Sequence, residues 1–151
     1  MPRDMHGLLA ERSSNPIADI RRMLSSVIFQ FLIGNCDAHG KNFSLLEEKD
    51  STVLSPAYDV VSTAVYPTLT RKFSMKIGNE YEIDKICRRH LIELADKIGI
   101  RISVINKILE NFEKKMTEAK VFLKEDKIAI ENPNLASAIW EGFLTRWNSI
   151  S

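Results

Sequence analysis

Asn35-Cys36-Asp37-Ala38-His39-Gly40-Lys41-Asn42 is the stretch on which the reading of this chain turns, because it packs an Asp, a His, a Lys and two Asn into eight residues. What flanks it is regular. Upstream, Asn15-Pro16 reads as a helix opening, with Ser14 or Asn15 capping and Pro16 at the first helical position. Behind it Ile17, Ile20, Met23, Leu24, Val27, Ile28, Phe31 and Leu32 recur at three- and four-residue steps, which predicts one broad apolar helical face ending near Gly34. Downstream, Phe43-Ser-Leu-Leu46 and Thr52-Val-Leu54 predict a hairpin around the acidic turn Glu47-Glu-Lys-Asp50. Tyr66-Pro67 breaks the chain, and Lys72-Phe-Ser-Met-Lys-Ile77 alternates polar and apolar up to Gly78-Asn79.

From Ile83 the pattern turns helical again. Ile83, Ile86, Cys87, His90, Leu91, Leu94, Ala95 and Ile98 predict one helix, stopped by Gly99. Ser103 can cap the next, which carries Val104, Ile105, Ile108, Leu109, Phe112 and Met116. Asn132-Pro133-Asn134 interrupts, and Leu135, Ile139, Trp140, Phe143 and Trp147 predict a last helix. The expected architecture is mostly α with a small β insert, residues 1–15 being a flexible N-terminal segment and 16–151 the folded domain. His90 is expected as a core or boundary residue. Trp140 and Trp147 are expected first as core packing and second as an exposed partner surface.

Composition narrows the class. The chain has 151 residues, 44% of them hydrophobic, enough for a core without disulfides or a structural metal. Lys plus Arg total 21 against 20 Asp plus Glu, a balance that gives no support to a nucleic-acid-coating or membrane-surface role. Cys36 and Cys87 lie 51 residues apart with no C-x-x-C spacing, so reduced thiols are expected first and a single disulfide second. No window approaches a transmembrane span and the first residues hold no apolar signal region, so the expected location is cytoplasmic.

Helix, then a loop dense in Asp, His, Lys and Asn, then a short strand is the layout of a kinase catalytic loop. Such loops place an Asp five residues before an Asn, with a second metal-binding Asp later. Asp37 and Asn42 have that separation, and Asp59 in Ser55-Pro-Ala-Tyr-Asp-Val-Val61 is the later candidate. Phosphoryl transfer needs a carboxylate in hydrogen-bond reach of the attacking hydroxyl. It also needs hard oxygen ligands for a magnesium ion that bridges the phosphates. Lys41 can neutralise a phosphate oxygen as a point charge. Blander readings compete: Asp37, His39 and Asn42 as turn formers, Asp59 as the cap of a short helix from Val60, Lys41 as a solvated surface lysine. Two linked segments in the right order weigh against the first of these.

Ile33-Gly-Asn-Cys-Asp-Ala-His-Gly-Lys-Asn-Phe-Ser44 resembles the catalytic segment of HipA-like kinases, which carry Asp-x-His-x-Lys-Asn. Leu54-Ser-Pro-Ala-Tyr-Asp-Val-Val-Ser62 resembles that family's counterpart of the Asp-Phe-Gly metal site. The resemblance implies the C-terminal lobe of a protein-kinase-like fold, with a catalytic loop at 35–42, a metal-binding segment at 54–62 and a helical remainder at 83–151. It implies Asp37 as catalytic base, Asn42 and Asp59 as magnesium ligands, and His39 and Lys41 as the motif's other polar positions, with Lys41 toward phosphate. ATP and magnesium are the implied cofactors. A HipB-like antitoxin and a protein-serine substrate, an aminoacyl-tRNA synthetase being the known kind, are the implied partners.

A kinase also needs a Gly-rich loop, a strand Lys on the phosphates and a helix Glu holding that Lys. The six glycines form no G-x-G-x-x-G, and only 36 residues precede Asp37. The expectation is therefore a lobe that needs an N-lobe from elsewhere, whether lost by excision, supplied by a separate chain or decayed. The isolated chain is expected to show no ATP turnover. The competing class is a non-catalytic lobe that binds an antitoxin or a substrate.

Overall fold

A computed structural model describes residues 2–151. The elements run α1 (Pro2–Arg12), α2 (Pro16–Ile33), β1 (Leu45–Glu48), β2 (Ser51–Leu54), β3 (Lys72–Ile77), β4 (Glu80–Glu82), α3 (Arg88–Lys97), α4 (Ile102–Glu125), α5 (Lys127–Glu131) and α6 (Pro133–Ile150). The fold is mostly helical, with two small antiparallel pairs, β1 with β2 and β3 with β4. The expected mostly-α fold with a β insert is what forms.

Helix α2 is the central rod, packed against α1, α4, α6 and β2. Its start follows from Asn15, whose side chain accepts from the Ala18 N–H, and from Pro16 in the first turn. It buries Met23, Leu24, Val27, Ile28, Phe31 and Leu32. Ile17, read into the same face, points out at 86% exposure. Gly34 ends the helix at φ 82°, a left-handed position that glycine adopts without a Cβ penalty. A Cβ there would also lie 2.9 Å from both the Ala64 Cβ and an Arg146 nitrogen. Gly34→Ala is therefore expected to destabilise by about 2 kcal/mol through strain and overpacking, measured by urea denaturation.

The hairpin β1–β2 forms as read, in the register Leu45 to Leu54 and Glu48 to Ser51. In β3 the alternation is literal: Phe73, Met75 and Ile77 are buried while Lys72, Ser74 and Lys76 face solvent. Gly78 and Asn79 turn the chain into β4.

Three local expectations change. Residues 1–15, read as flexible, include helix α1, which carries a fully buried Leu9. This segment is tied to the hairpin by Ser14 N–H to the Thr52 carbonyl at 2.8 Å and Thr52 N–H to Ser14 Oγ at 2.8 Å. The helix expected from Ile83 begins only at Arg88, because the Ile83 N–H bonds to the Arg71 carbonyl and residues 83–85 form a 3-10 turn. Ile83 and Ile86 are buried from that turn instead. Helix α4 starts at Ile102, so Ser103 lies inside its first turn and does not cap it.

Cys36 is buried, Cys87 half-buried, and both thiols are free. His90 is buried at the start of α3, its Nδ1 accepting from the Cys87 N–H. Trp147 is buried. Trp140 is half-buried and lines an apolar groove of 860 Å³ between α4, α5, α6 and the end of α2. Among the described residues, no helix is long and apolar enough to cross a membrane.

Candidate functional site

The loop after α2 is held by its backbone. The Gly34 carbonyl accepts from Ala64 N–H at 2.9 Å and from Thr63 Oγ1 at 3.2 Å, and the Cys36 N–H donates to Thr63 Oγ1 at 2.8 Å. Ser62 Oγ donates to the Ile33 carbonyl at 2.7 Å. From the other side, Ser74 N–H and Oγ both donate to the Cys36 carbonyl at 2.9 Å. The segments 33–36 and 62–64 are thus clamped together, and β3 fixes the loop from beyond. Burial pushes the Cys36 thiol above its ordinary value, so it stays a neutral packing group.

Within this frame the structure brings Asn42 and Asp59 into contact. Asn42 is buried, at 6% exposure, and its Nδ2 donates to Asp59 Oδ2 across 17 residues of sequence. Its Oδ1 accepts the His39 N–H at 3.1 Å. Asp59 itself sits at φ 55°, in the left-handed region that Asp tolerates better than most residues. No helix begins at Val60, so the capping role for Asp59 falls away. The Asp59 carbonyl instead accepts from Asn35 Nδ2 at 2.8 Å, and the same nitrogen donates to Gln30 Oε1 at 2.8 Å. Tyr58 reinforces the junction, its hydroxyl donating to the Lys41 carbonyl at 2.6 Å.

The remaining candidates are placed differently. The Asp37 carboxylate is exposed and, among the described residues, accepts no hydrogen bond. The Lys41 side chain is exposed as well, and only its backbone is engaged. His39 is half-buried with Nδ1 buried and unpartnered. A cleft of 270 Å³ opens beside Asn42, lined also by Arg22, Ser26, Phe43 and Ser55.

Gln30, Asn35 and Thr63 position this site and were not singled out from the sequence. Gln30 and Asn35 are both essentially inaccessible, at 1% and 0% exposure. A glutamine inside the apolar run Val27–Ile33 was the available signal, since a buried amide demands a partner.

The donor chemistry fits a magnesium ion in one sense only. Asp59 offers a carboxylate and Asn42 an amide oxygen that keeps a second lone pair beyond the bond from the His39 N–H, while it is Asn42 Nδ2 that faces Asp59. Among the described residues no three His, Cys, Asp or Glu side chains form a metal cage. Two protein ligands suit an ion that keeps waters and takes its other oxygens from phosphates.

Farther along, Arg71 makes a bidentate pair with Asp84, at 2.6 Å for each bond, and donates to the Ala64 carbonyl at 2.9 Å. The Arg71 hydrogen bond holds the Asp84 carboxyl below its ordinary value. Its stabilisation is therefore present above the unfolded carboxylate value of about 3.9 and is lost as pH falls through that value toward the folded one. Both side chains are well exposed, at 42% and 59%, so screening limits the pair. Asp84→Asn is expected to cost less than about 1 kcal/mol at neutral pH and to flatten this part of the acid-side slope, measured by urea denaturation at neutral and acid pH.

Comparison with known proteins agrees with this layout. The profile of the HipA-like C-terminal domain matches residues 3–120. A Sinorhizobium fredii protein, Y4mE, provisionally named a kinase, is 32% identical over 124 residues, which is 82% of this chain and 30% of that protein. The serine/threonine-protein kinase toxin HipA of Shewanella oneidensis is 30% identical over 111 residues, 74% of this chain and 26% of the toxin. In the solved complex of Shewanella HipA, HipB and operator DNA, one chain superposes with a TM-score of 0.74 and 25% identity, covering 99% of this chain and 34% of that one. The chain thus spans about a third of the length of the relatives it matches. With its helical lobe and its paired loop and return segment, the chain belongs to the HipA-like C-terminal domain family, part of a kinase-like fold.

Proposed function

We propose that this chain is the C-terminal lobe of an ATP- and magnesium-dependent kinase that phosphorylates protein serine. The observation that carries the reading is the side-chain contact between Asn42 and Asp59, two residues 17 apart that the family's motifs assign to one metal. Asp37 is the base that orients the serine hydroxyl and takes its proton, a role its exposed, unengaged carboxylate leaves open. Asn42 and Asp59 hold magnesium, which when bound screens the charge developing on the transferred phosphoryl group. Lys41 is the point charge on phosphate, and His39 is the motif's other nucleotide-side position. The Shewanella neighbour was solved with HipB and its operator, which supports a HipB-like antitoxin as partner of the completed kinase. An aminoacyl-tRNA synthetase is the proposed kind of substrate.

The test is a chimera in which this chain replaces the matching segment of Shewanella HipA. The chimera is expected to transfer phosphate from ATP to protein serine only with magnesium present, while the 151-residue chain alone transfers none. A folded chimera that binds ATP and transfers nothing would overturn the catalytic assignment. The chain would then be a binding lobe for antitoxin or substrate.

A further inference from the structure

Helices α4, α5 and α6 leave between them the apolar groove of 860 Å³. One wall is fixed because α6 is anchored, its Arg146 Nε donating to the Leu32 carbonyl at 2.9 Å and its Trp147 buried. The floor is fixed as well: Phe29 of α2 stacks on Phe112 of α4 at 6.0 Å, and Trp140 stacks on Phe143 at 5.6 Å. At one end Asp126 turns the chain from α4 into α5, its Oδ1 accepting the Ala129 N–H at 2.9 Å. Large apolar side chains nevertheless stand out on the lips, Phe122 at 64% exposure and Ile128 at 71%. Apolar side chains gathered on one exposed face mark an interaction surface.

The stripe that α4 presents to the groove says what fits. Phe112, Lys115, Met116, Ala119, Phe122 and Asp126 all lie on it. Lys115 and Asp126 are 11 residues apart. That is about three turns and 16 Å, so opposite charges mark the two ends of one face. Between them Ala119 and Phe122 set a small side chain near a large one. Both pairs share one midpoint, between Lys120 and Val121. A second copy lying antiparallel on that midpoint sets Lys115 against the Asp126 of the other copy and Phe122 over its Ala119, each contact being made twice. Glu118, the third charged side chain of α4 on the groove, is exposed and stands about 60° round the helix from Lys115, at the rim. The stretch 113–131 holds five Lys and five Asp plus Glu. A partner of one sign would meet as much repulsion there as attraction, whereas the chain's own copy carries the matching pattern.

We propose that this face is an interface between two copies of the chain, α4 of each lying antiparallel on α4 of the other across a two-fold axis near Lys120 and Val121. The α4 of one copy then covers the mouth of the other's groove, and Phe122 is the anchor on both sides. The stripe from Phe112 to Asp126 is about 21 Å long, and the three helices together are about 30 Å wide. That face is on the scale of the ~800 Å² that each partner buries in an ordinary interface. The pairing does not depend on phosphoryl transfer by Asp37 and is read without any activity measurement.

The experiment is sedimentation velocity of the full chain from about 1 to 100 µM, a range in which interfaces of this size associate. The expected result is a concentration-dependent shift to twice the chain mass and no further. Ala119→Phe sets two rings against each other, and Phe122→Ala leaves a gap in their place. Both positions are exposed, so both variants are expected to keep the fold, read by circular dichroism. Each is expected to weaken association at least about 30-fold, the scale of one interface anchor. An equimolar mixture of the two variants is expected to pair again, because the added ring meets the vacated space and the second contact is the native one. A parent that stays at the chain mass at the highest concentration overturns the proposal. So does association that either variant leaves unweakened, a mixture that fails to pair, or open-ended assembly, which a two-fold contact cannot produce.

Discussion

Asp37→Asn is expected to slow phosphoryl transfer by about 10²- to 10⁴-fold in a kinase completed by an N-lobe, the range for loss of a positioned general base. The variant keeps the size of the side chain but turns one acceptor oxygen into an NH2 donor and removes the negative charge, and with it the ability to take a proton. Because the Asp37 carboxylate is exposed and engages no described residue, stability is expected to stay within about 0.5 kcal/mol of the parent. KM for ATP should stay unchanged, since the residue acts on the hydroxyl and not on the nucleotide. Asn42→Ala, by contrast, removes a buried amide and should lower both stability and ATP-dependent turnover. Single-turnover kinetics on the chimera separate the two. Retention of the parental rate in Asp37→Asn would remove the base assignment.

The largest expected loss of stability belongs to Asp19, a carboxylate 2% exposed in the first turn of α2. Its Oδ2 accepts from Ser13 Oγ at 2.7 Å and from the Leu54 N–H at 2.8 Å, and its Oδ1 pairs with Arg22 at 3.2 Å. One side chain thereby joins the end of α1, the start of α2 and strand β2. Asp19→Ala strands the buried Leu54 N–H and the Ser13 hydroxyl, and its expected cost is about 3–5 kcal/mol. For a chain of this size that is a fall in Tm on the order of 10 °C. Arg22→Ala should cost less than about 1 kcal/mol, because Arg22 is half exposed. Thermal denaturation of both variants tests the ranking. A loss under about 1 kcal/mol for Asp19→Ala would mean that water replaces these bonds freely.

What could be read from the sequence follows the range of the interactions. The alternation in Lys72–Ile77 and the three- and four-residue steps in Pro16–Ile33 are local periodicities, and both elements formed where they were read. Helix α1 escaped because, among its described residues, Leu9 is the one fully buried side chain, too little to make a periodic face. Ile83 and Ile86 misled because buried apolar residues at helical spacing also fit a 3-10 turn anchored by a neighbouring strand. Motif spacing pointed to Asn42 and Asp59 together, and their side chains do meet. The Asn35 amide that holds the Asp59 carbonyl, and the Arg146 guanidinium behind Gly34, depend on contacts between distant segments that no spacing rule encodes.

The bond from Arg146 to the Leu32 carbonyl spans 114 residues, and this distance sets a clock during biosynthesis. At usual translation speeds, α6 leaves the ribosome on the order of ten seconds after the loop it supports. Through that interval the nascent chain carries Asp37, Asn42 and Asp59 without the guanidinium that packs against Gly34 at the loop's base. The site-bearing loop is therefore completed after translation of its own segment, when the last helix docks.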